Sequence, residues 1–151
     1  MNQPLQIVSV IVALFCADKF LLVQRSKIDD IFPGKWQNLG GKIEVGETVE
    51  DAIRREVKEE IGIKIDKTPI FIQSYSWKKD NNSEIRLGLI FLVSLKGRVK
   101  DYHIKLDAEL QDYGWFTIEE IGEMNKKDML IGKRSPTGTL GQLSQIDNLK
   151  P

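Results

Sequence analysis

Residues 41–63 read GKIEVGETVEDAIRREVKEEIGI, and the second half of this stretch breaks the pattern of an ordinary surface helix. Thr48–Ile61 carries helix signals: Thr48 as N-cap, Glu50 and Asp51 in the first turn, and Gly62 just past the end. Put Val49 at zero on a helical wheel of about 100° per residue. Ala52, Ile53, Val57 and Ile61 then gather into an apolar stripe between about 300° and about 120°. Asp51, Arg54, Arg55 and Lys58 fall on the opposite face, which water can solvate. Glu56, at about 340°, and Glu60, at about 20°, fall inside the apolar stripe, and Glu59 sits at its edge near about 280°. Glu56 and Glu60 are also i, i+4 neighbours, stacked on one face.

Two carboxylates ~4 Å apart repel by ~4 kcal/mol at an effective dielectric of ~20. A proton on one of them, an intervening basic residue or a bridging divalent cation would relieve this. The last is a hard oxygen site of the kind Mg²⁺ or Mn²⁺ occupies. For most Glu-rich helices, solvation on an acidic surface is explanation enough. Here the wheel position argues against it, because such a conflict between local pattern and burial is expected at functional sites.

Outward from this helix, composition sets the frame. The chain has 151 residues, too few for two full cores, so one domain over 1–151 is expected. Hydrophobic residues at 41% and charged residues at 29% fit a globular protein. Lys plus Arg and Asp plus Glu both number 22, so the chain lacks the basic footprint that long nucleic acid requires. An anionic ligand must be met locally or through a metal. With only Cys16 and His103 as soft ligands, a Cys/His zinc site, an internal disulfide and any triad without His103 are excluded. No apolar run approaches the ~18–20 residues of a membrane span. Ile7–Cys16 ends at Asp18 and Lys19 with no basic segment before it, so it reads as a buried strand and not a signal peptide. The unpaired cysteine and lack of an export signal point to the cytoplasm.

Gln6–Cys16 and Phe20–Gln24 read as a β-hairpin around Ala17-Asp18-Lys19. Ser26–Lys35, with Pro33-Gly34, and the glycine-bearing Asn38–Gly46 read as loops. Pro69–Trp77 and Ile85–Leu95 are strand-like, joined by a hairpin turn at Asp80-Asn81-Asn82. Tyr113–Phe116 is a short strand, and Thr117-Ile-Glu-Glu120 is a capping box opening a second helix to about Met124. The tail from about residue 133 is rich in Gly, Ser and Thr and is the least determined part, with a short helix near Leu143–Leu149 as one reading. Strands outnumber helices, so a mixed sheet with packed helices is expected.

The spacing Gly41, Glu47, Arg55-Glu56-Val57, Glu59-Glu60, Gly62-Ile63 resembles the Nudix box, GX5EX7REUXEEXGU with U aliphatic, and every defined position matches. The hairpin before the box, the sheet after it and the Glu109…Trp115-Phe116 segment before a capped helix are similar to the αβα sandwich of MutT-like Nudix hydrolases. The resemblance therefore implies an α/β (α+β) fold, with a mixed curved sheet and flanking helices. It implies divalent metal and water cleaving a nucleoside diphosphate linked to another moiety. Glu56 and Glu60 match the metal-binding carboxylates, and Glu59 a third that binds metal or positions water. The Gly40 carbonyl matches a backbone ligand. Glu47 and Arg55 resemble a salt-bridged pair that orients loop and helix, and Glu109 a further carboxylate that some members use as ligand or base. Glycines at 40 and 41 would let backbone approach a metal without a Cβ in the way.

The sequence departs from the family pattern in places. Leu39 stands where many members carry Pro before Gly-Gly, a variant similar to enzymes that cleave nucleoside triphosphates with damaged purines. The Asn that meets the base in those enzymes aligns with Gln37, whose amide can still address a base edge. Their acidic base-reading pair is not visible near Asp128-Met129-Leu130-Ile131, and motifs of the coenzyme A and NADH branches are absent after the box. Phe32 is a stacking candidate, Arg25 a candidate for a terminal phosphate, and Gly41 and Lys42 line the loop beside the phosphates. Trp36, Trp77 and Trp115 could stack on a base, but aromatics at strand ends more often pack core or rim. His103 reads as a surface residue and Cys16 as buried packing.

The expected activity is Mg²⁺- or Mn²⁺-dependent conversion of a (deoxy)nucleoside triphosphate to monophosphate and pyrophosphate, with removal of oxidised purine nucleotides as one form of it. ADP-ribose, a dinucleoside polyphosphate or a nucleotide sugar is the alternative substrate. A nucleotide-sensing module without catalysis is the rival class, and such modules often lose box carboxylates that this chain retains. Many relatives form homodimers, and neither a heptad nor an apolar patch here marks such a contact.

Overall fold

The alternation of apolar residues in the first strand divides the molecule into two layers of core. Val10, Val12 and Leu14 of β1 (Gln6–Cys16) pack with Leu21 and Val23 of β2 (Lys19–Arg25) on one face of the sheet. Ala13 of β1 and Phe20 and Leu22 of β2 belong to a second cluster on the other. Helix α1 (Val49–Ile61) covers the first face with Ala52, Ile53, Val57 and Ile61. Helix α2 (Ile118–Lys126) covers the second with Ile121 and Met124. A period-two strand between two amphipathic helices thus gives an αβα sandwich. The structure, a computed structural model, describes residues 6–78 and 85–131, without the side chain of Trp77. The turn expected at 80–82 and the tail from 133, with its helix reading, lie outside the described residues.

The sheet has seven strands and is mixed. Its main order is β3-β2-β1-β6-β5, where β3 is Trp36–Gln37, β5 is Ile70–Trp77 and β6 is Ile85–Leu95. β4 (Leu39–Lys42) pairs with β1, and β7 (Leu110–Phe116) pairs with β2. β1 runs parallel to β6 along its whole length, and no helix of the described residues is long and apolar enough to cross a membrane.

Three expectations from sequence need correction. The β1–β2 hairpin is real but short: Phe15 pairs with Phe20 and Cys16 with Lys19 across a turn with Ala17 and Asp18 both at positive φ. The strands then diverge, and the segment 36–42 fills the fork, with Gln37 opposite Val23 and Leu39 opposite Val12. Asn38–Gly46 is therefore not all loop; its first residues are strand because β1 supplies hydrogen-bond partners, despite two consecutive glycines. The second helix also runs to Lys126, beyond Met124, from a Thr117–Glu120 capping box with both bonds formed.

Candidate active site

Helix α1 forms where its caps allow. The Thr48 hydroxyl accepts the Asp51 N–H at 3.1 Å, and Gly62, at φ 76°, closes the other end by donating to the Lys58 carbonyl. Its apolar stripe lies on the β1–β2–β4 part of the sheet, which fixes the direction of the glutamates within that stripe. Glu60 reaches β4, where its Oε1 accepts the Gly40 N–H at 2.9 Å. Glu56 lies against the Cα of Gly41 with its side chain 13% exposed. A Cβ on Gly41 would occupy the space of the Glu56 carboxyl, and a Cβ on Gly40 would strike the backbone of Val10. The consecutive glycines are thus a steric requirement of this helix–strand approach.

Electrostatics follow from burial. Burial pushes the Glu60 carboxyl up to about 8, the charges of Glu56 and Asp107 push the same way, and the Gly40 N–H opposes them. Glu56 is also raised, chiefly by burial and against the pull of Arg55. The two share a hydrogen bond in which protonated Glu60 serves ionised Glu56.

Arg55 gathers the other acids. Its Nε is 2.7 Å from Glu47, and NH1 is 2.8 Å from Glu56, 3.3 Å from Glu59 and 3.8 Å from Glu44. Its NH2 donates to the Lys42 carbonyl at 2.9 Å. The fork geometry suits this bidentate role, and hydrogen bonds from Arg55 hold the Glu47 carboxyl down at about 2. The wheel puts Arg55 on a solvated face. Instead, its long side chain folds back along the helix surface to bind the loop before α1.

The repulsion anticipated from sequence is therefore relieved by a proton on Glu60 and a guanidinium on Glu56. A divalent cation would supply the same charge. Hard oxygen donors, a surplus buried negative charge and a wall of backbone without Cβ fit such an ion by donor chemistry. Among the described residues, no three of His, Cys, Asp and Glu already converge into a metal-sized group. Glu59, 55% exposed, is turned to Arg55.

The remaining candidates separate. Gln37 is half-buried, Phe32 is exposed at φ 50°, and Lys42 is exposed with only its carbonyl engaged. Arg25 is not a free cation awaiting phosphate: it binds Asp29 at 2.8 Å, the Ile31 carbonyl at 2.8 Å and Gln37 at 3.3 Å. Glu109 is exposed, and its backbone N–H is bound to Asp107. Asp107, which sequence reasoning missed, is the nearer acid: its N–H donates to the Glu60 carbonyl at 2.9 Å, and its charge acts on the Glu60 side chain. The Asp107–Glu109 turn could have suggested it. Sequence reasoning also missed Asn38, buried at the strand fork with both amide atoms unpartnered among the described residues. Trp36 packs edge-on to Phe116, and Trp115 packs against the α1 core. His103 is exposed and Cys16 buried.

Comparison with known proteins agrees with this architecture. The NUDIX domain family model matches residues 5–137. Nucleoside triphosphatase NudI of Escherichia coli is 32% identical over 110 residues, 68% of this chain and 75% of NudI. The MutT protein of Methanosarcina mazei Go1 superposes with a TM-score of 0.75 at 23% identity, covering 97% of this chain and 98% of its own. A NUDIX hydrolase of Nitrosomonas europaea gives 0.70 at 26% identity, covering 95% and 90%.

Proposed function

The chain belongs to the NUDIX domain family and is a hydrolase of pyrophosphate bonds, and from that premise we propose that its substrate is a nucleoside triphosphate, released as monophosphate and pyrophosphate. The named activity of NudI, nucleoside triphosphatase, supports this choice over ADP-ribose, dinucleoside polyphosphates and nucleotide sugars. Balanced charge favours a small nucleotide over long nucleic acid. Full retention of the box carboxylates favours catalysis over sensing alone.

Nudix enzymes generally need a divalent metal. In this chain Glu56 and Glu60 would hold Mg²⁺ or Mn²⁺, with Glu59 and the Gly40 carbonyl as further ligands. Bound there, such an ion neutralises phosphate oxygens and lowers the pKa of attacking water. The protein's own residues do the rest. Arg55, fixed by Glu47, sets the direction of the Glu56 carboxylate and keeps the loop at Lys42 against the helix. The Gly40 N–H does the same for Glu60. Glu59, on the solvent side, would bind the ion or take a proton from water, the latter an effect worth roughly 10²–10⁴-fold. Glycines at 40 and 41 let the strand lie directly against the β1 backbone and the Glu56 carboxyl.

The buried Glu56–Glu60 pair under the Gly40–Gly41 backbone carries this reading. Its test is pyrophosphate and phosphate release across nucleoside triphosphates, ADP-ribose, dinucleoside polyphosphates and nucleotide sugars, with Mg²⁺ and with Mn²⁺. Turnover of triphosphates, lost in Glu60→Gln with the fold intact, is expected. Preferential turnover of another class would refute the substrate, and normal turnover by the variant would refute the role of Glu60.

A further inference from the structure

We propose that the end of the sandwich at the C-terminus of α1 is a docking face for an anionic lipid bilayer, on which the protein lies without crossing it. The inference goes beyond the substrate reading and does not depend on it.

Charge is balanced over the whole chain but not over its surface. After α1, Ile63 and Ile65 turn into the core while Lys64, Asp66 and Lys67 are exposed. The segment 103–106 alternates in the same way: Ile104 and Leu106 pack on the α1 core, and His103 and Lys105 face solvent. The Lys105 N–H donates to the Ile61 carbonyl at 2.9 Å, which joins the two segments side by side. The loop after β6 completes the face with exposed Lys96, Arg98 and Lys100. The Tyr102 hydroxyl donates to the Lys96 carbonyl, and the Cys16 thiol meets the Gly97 carbonyl, so this loop is tied to the end of the sheet.

Segments 64–67 and 96–105 thus carry six cations, Lys64, Lys67, Lys96, Arg98, Lys100 and Lys105, against two carboxylates, Asp66 and Asp101. Arg98 lies 3.7 Å from Asp101; the five lysines form no ion pair among the described residues. The adjacent β1–β2 turn adds Asp18 and Lys19, which cancel. An overall charge of zero hides this segregation, because composition averages over faces.

Two large apolar side chains stand exposed beside these cations. Ile70 and Phe71, 58% and 54% exposed, open the edge strand β5. Ile70 follows Lys67 by three residues, and its partner Leu92 precedes Lys96 by four, so each cation is ~10–13 Å away along a strand. An anionic bilayer meets both features: lipid phosphates and carboxylates face the lysines, and Ile70 and Phe71 reach the acyl boundary. Lysine stems add methylenes that lie well at such a boundary. Nucleic acid would satisfy the cations alone, since its bases need flat aromatic platforms. Here Ile70 is aliphatic and the Phe71 ring packs on Phe91 at 5.5 Å.

Each basic residue near an anionic surface raises partitioning about 5-fold, so reversing one lysine, a change of two charges, should lower it by about 25-fold. The test is co-sedimentation of the full chain with vesicles of phosphatidylcholine alone and of phosphatidylcholine mixed with phosphatidylserine, at low and high salt. Wild type should bind the mixed vesicles, bind the neutral ones far less, and lose affinity as salt rises. Lys96→Glu should show the loss of about 25-fold. Ile70→Ser should also weaken binding, and its loss should persist at high salt, where the charge contribution is screened. Lys127→Glu, the same charge change on the end of α2, should have a far smaller effect. No binding by wild type, equal binding to neutral vesicles, equal losses in Lys96→Glu and Lys127→Glu, or unchanged binding in Ile70→Ser would overturn the inference. Tighter binding to a single-stranded RNA oligomer than to the vesicles, lost in Lys96→Glu, would assign the face to nucleic acid and overturn it as well. Vesicle binding is read without turnover, so its outcome is separate from that of the proposed activity.

Discussion

Glu60→Gln replaces a carboxyl that holds its proton up to about 8 with an amide of the same shape and no titratable proton. In metal-free wild type, Glu60 is raised from 4.5 to about 8, so between these values the folded chain binds a proton that the unfolded chain has released. Unfolding free energy therefore falls as pH rises: this contribution is complete below pH 4.5 and lost through about pH 8. Holding one proton across one pH unit in the folded chain alone is worth about 1.4 kcal/mol, so the total drop is on the order of a few kcal/mol, shared with the coupled Glu56. The variant lacks this titration and should vary much less over the window. The assay is urea unfolding in EDTA at about pH 5 and about pH 9, where a drop of a few kcal/mol moves the midpoint by about 1 M or more. Wild type should lose stability at the higher pH, and Glu60→Gln should then be the more stable of the two. Added Mg²⁺ should restore wild type and leave the variant unchanged. Equal wild-type midpoints at both pH values, or a parallel decline in the variant, would refute the reasoning.

The paired glycines should fail differently. In Gly41→Ala the new Cβ meets only the end of the Glu56 side chain, so the fold should survive while kcat falls by roughly 10²-fold from a displaced carboxylate. In Gly40→Ala it meets the Val10 backbone at φ 151°, which should cost about 3 kcal/mol or more in chemical denaturation; matching losses of stability in both variants would contradict this. Arg55→Met should return the Glu47 carboxyl from about 2 towards 4.5 in an NMR titration, and an unmoved Glu47 would show that another group holds it. Asn38→Leu removes a buried amide without partners among the described residues and should raise unfolding free energy by about 1 kcal/mol or more, so a loss of stability would count against that reading.

The parts of this molecule that sequence revealed are those governed by near neighbours. Thr48, Gly62 and the apolar stripe of α1 act within one or two turns, so cap chemistry and period locate the helix. Glu56 and Glu60 stand out because they violate that same local period. Leu39–Lys42 carries no strand signal, because glycines have poor strand propensity and its pairing comes from Ser9–Val12, some thirty residues earlier in the chain. A wheel records where a Cα–Cβ bond points and not how far an arginine extends, which is why it places Arg55 in solvent. Arg25 and Asp107 depend on contacts across loops that no periodicity encodes: Arg25 turns to its own loop and to Gln37, and Asp107 meets the end of α1 from the far side of β6 in sequence.

The most direct measurement is Mn²⁺ titration with a non-hydrolysable nucleoside triphosphate analogue present, followed through the EPR signal of the free ion. The account predicts uptake by wild type and its loss in both Glu56→Gln and Glu60→Gln. No uptake by wild type, or undiminished uptake by both variants, would contradict the assignment of this carboxylate pair as a cation site.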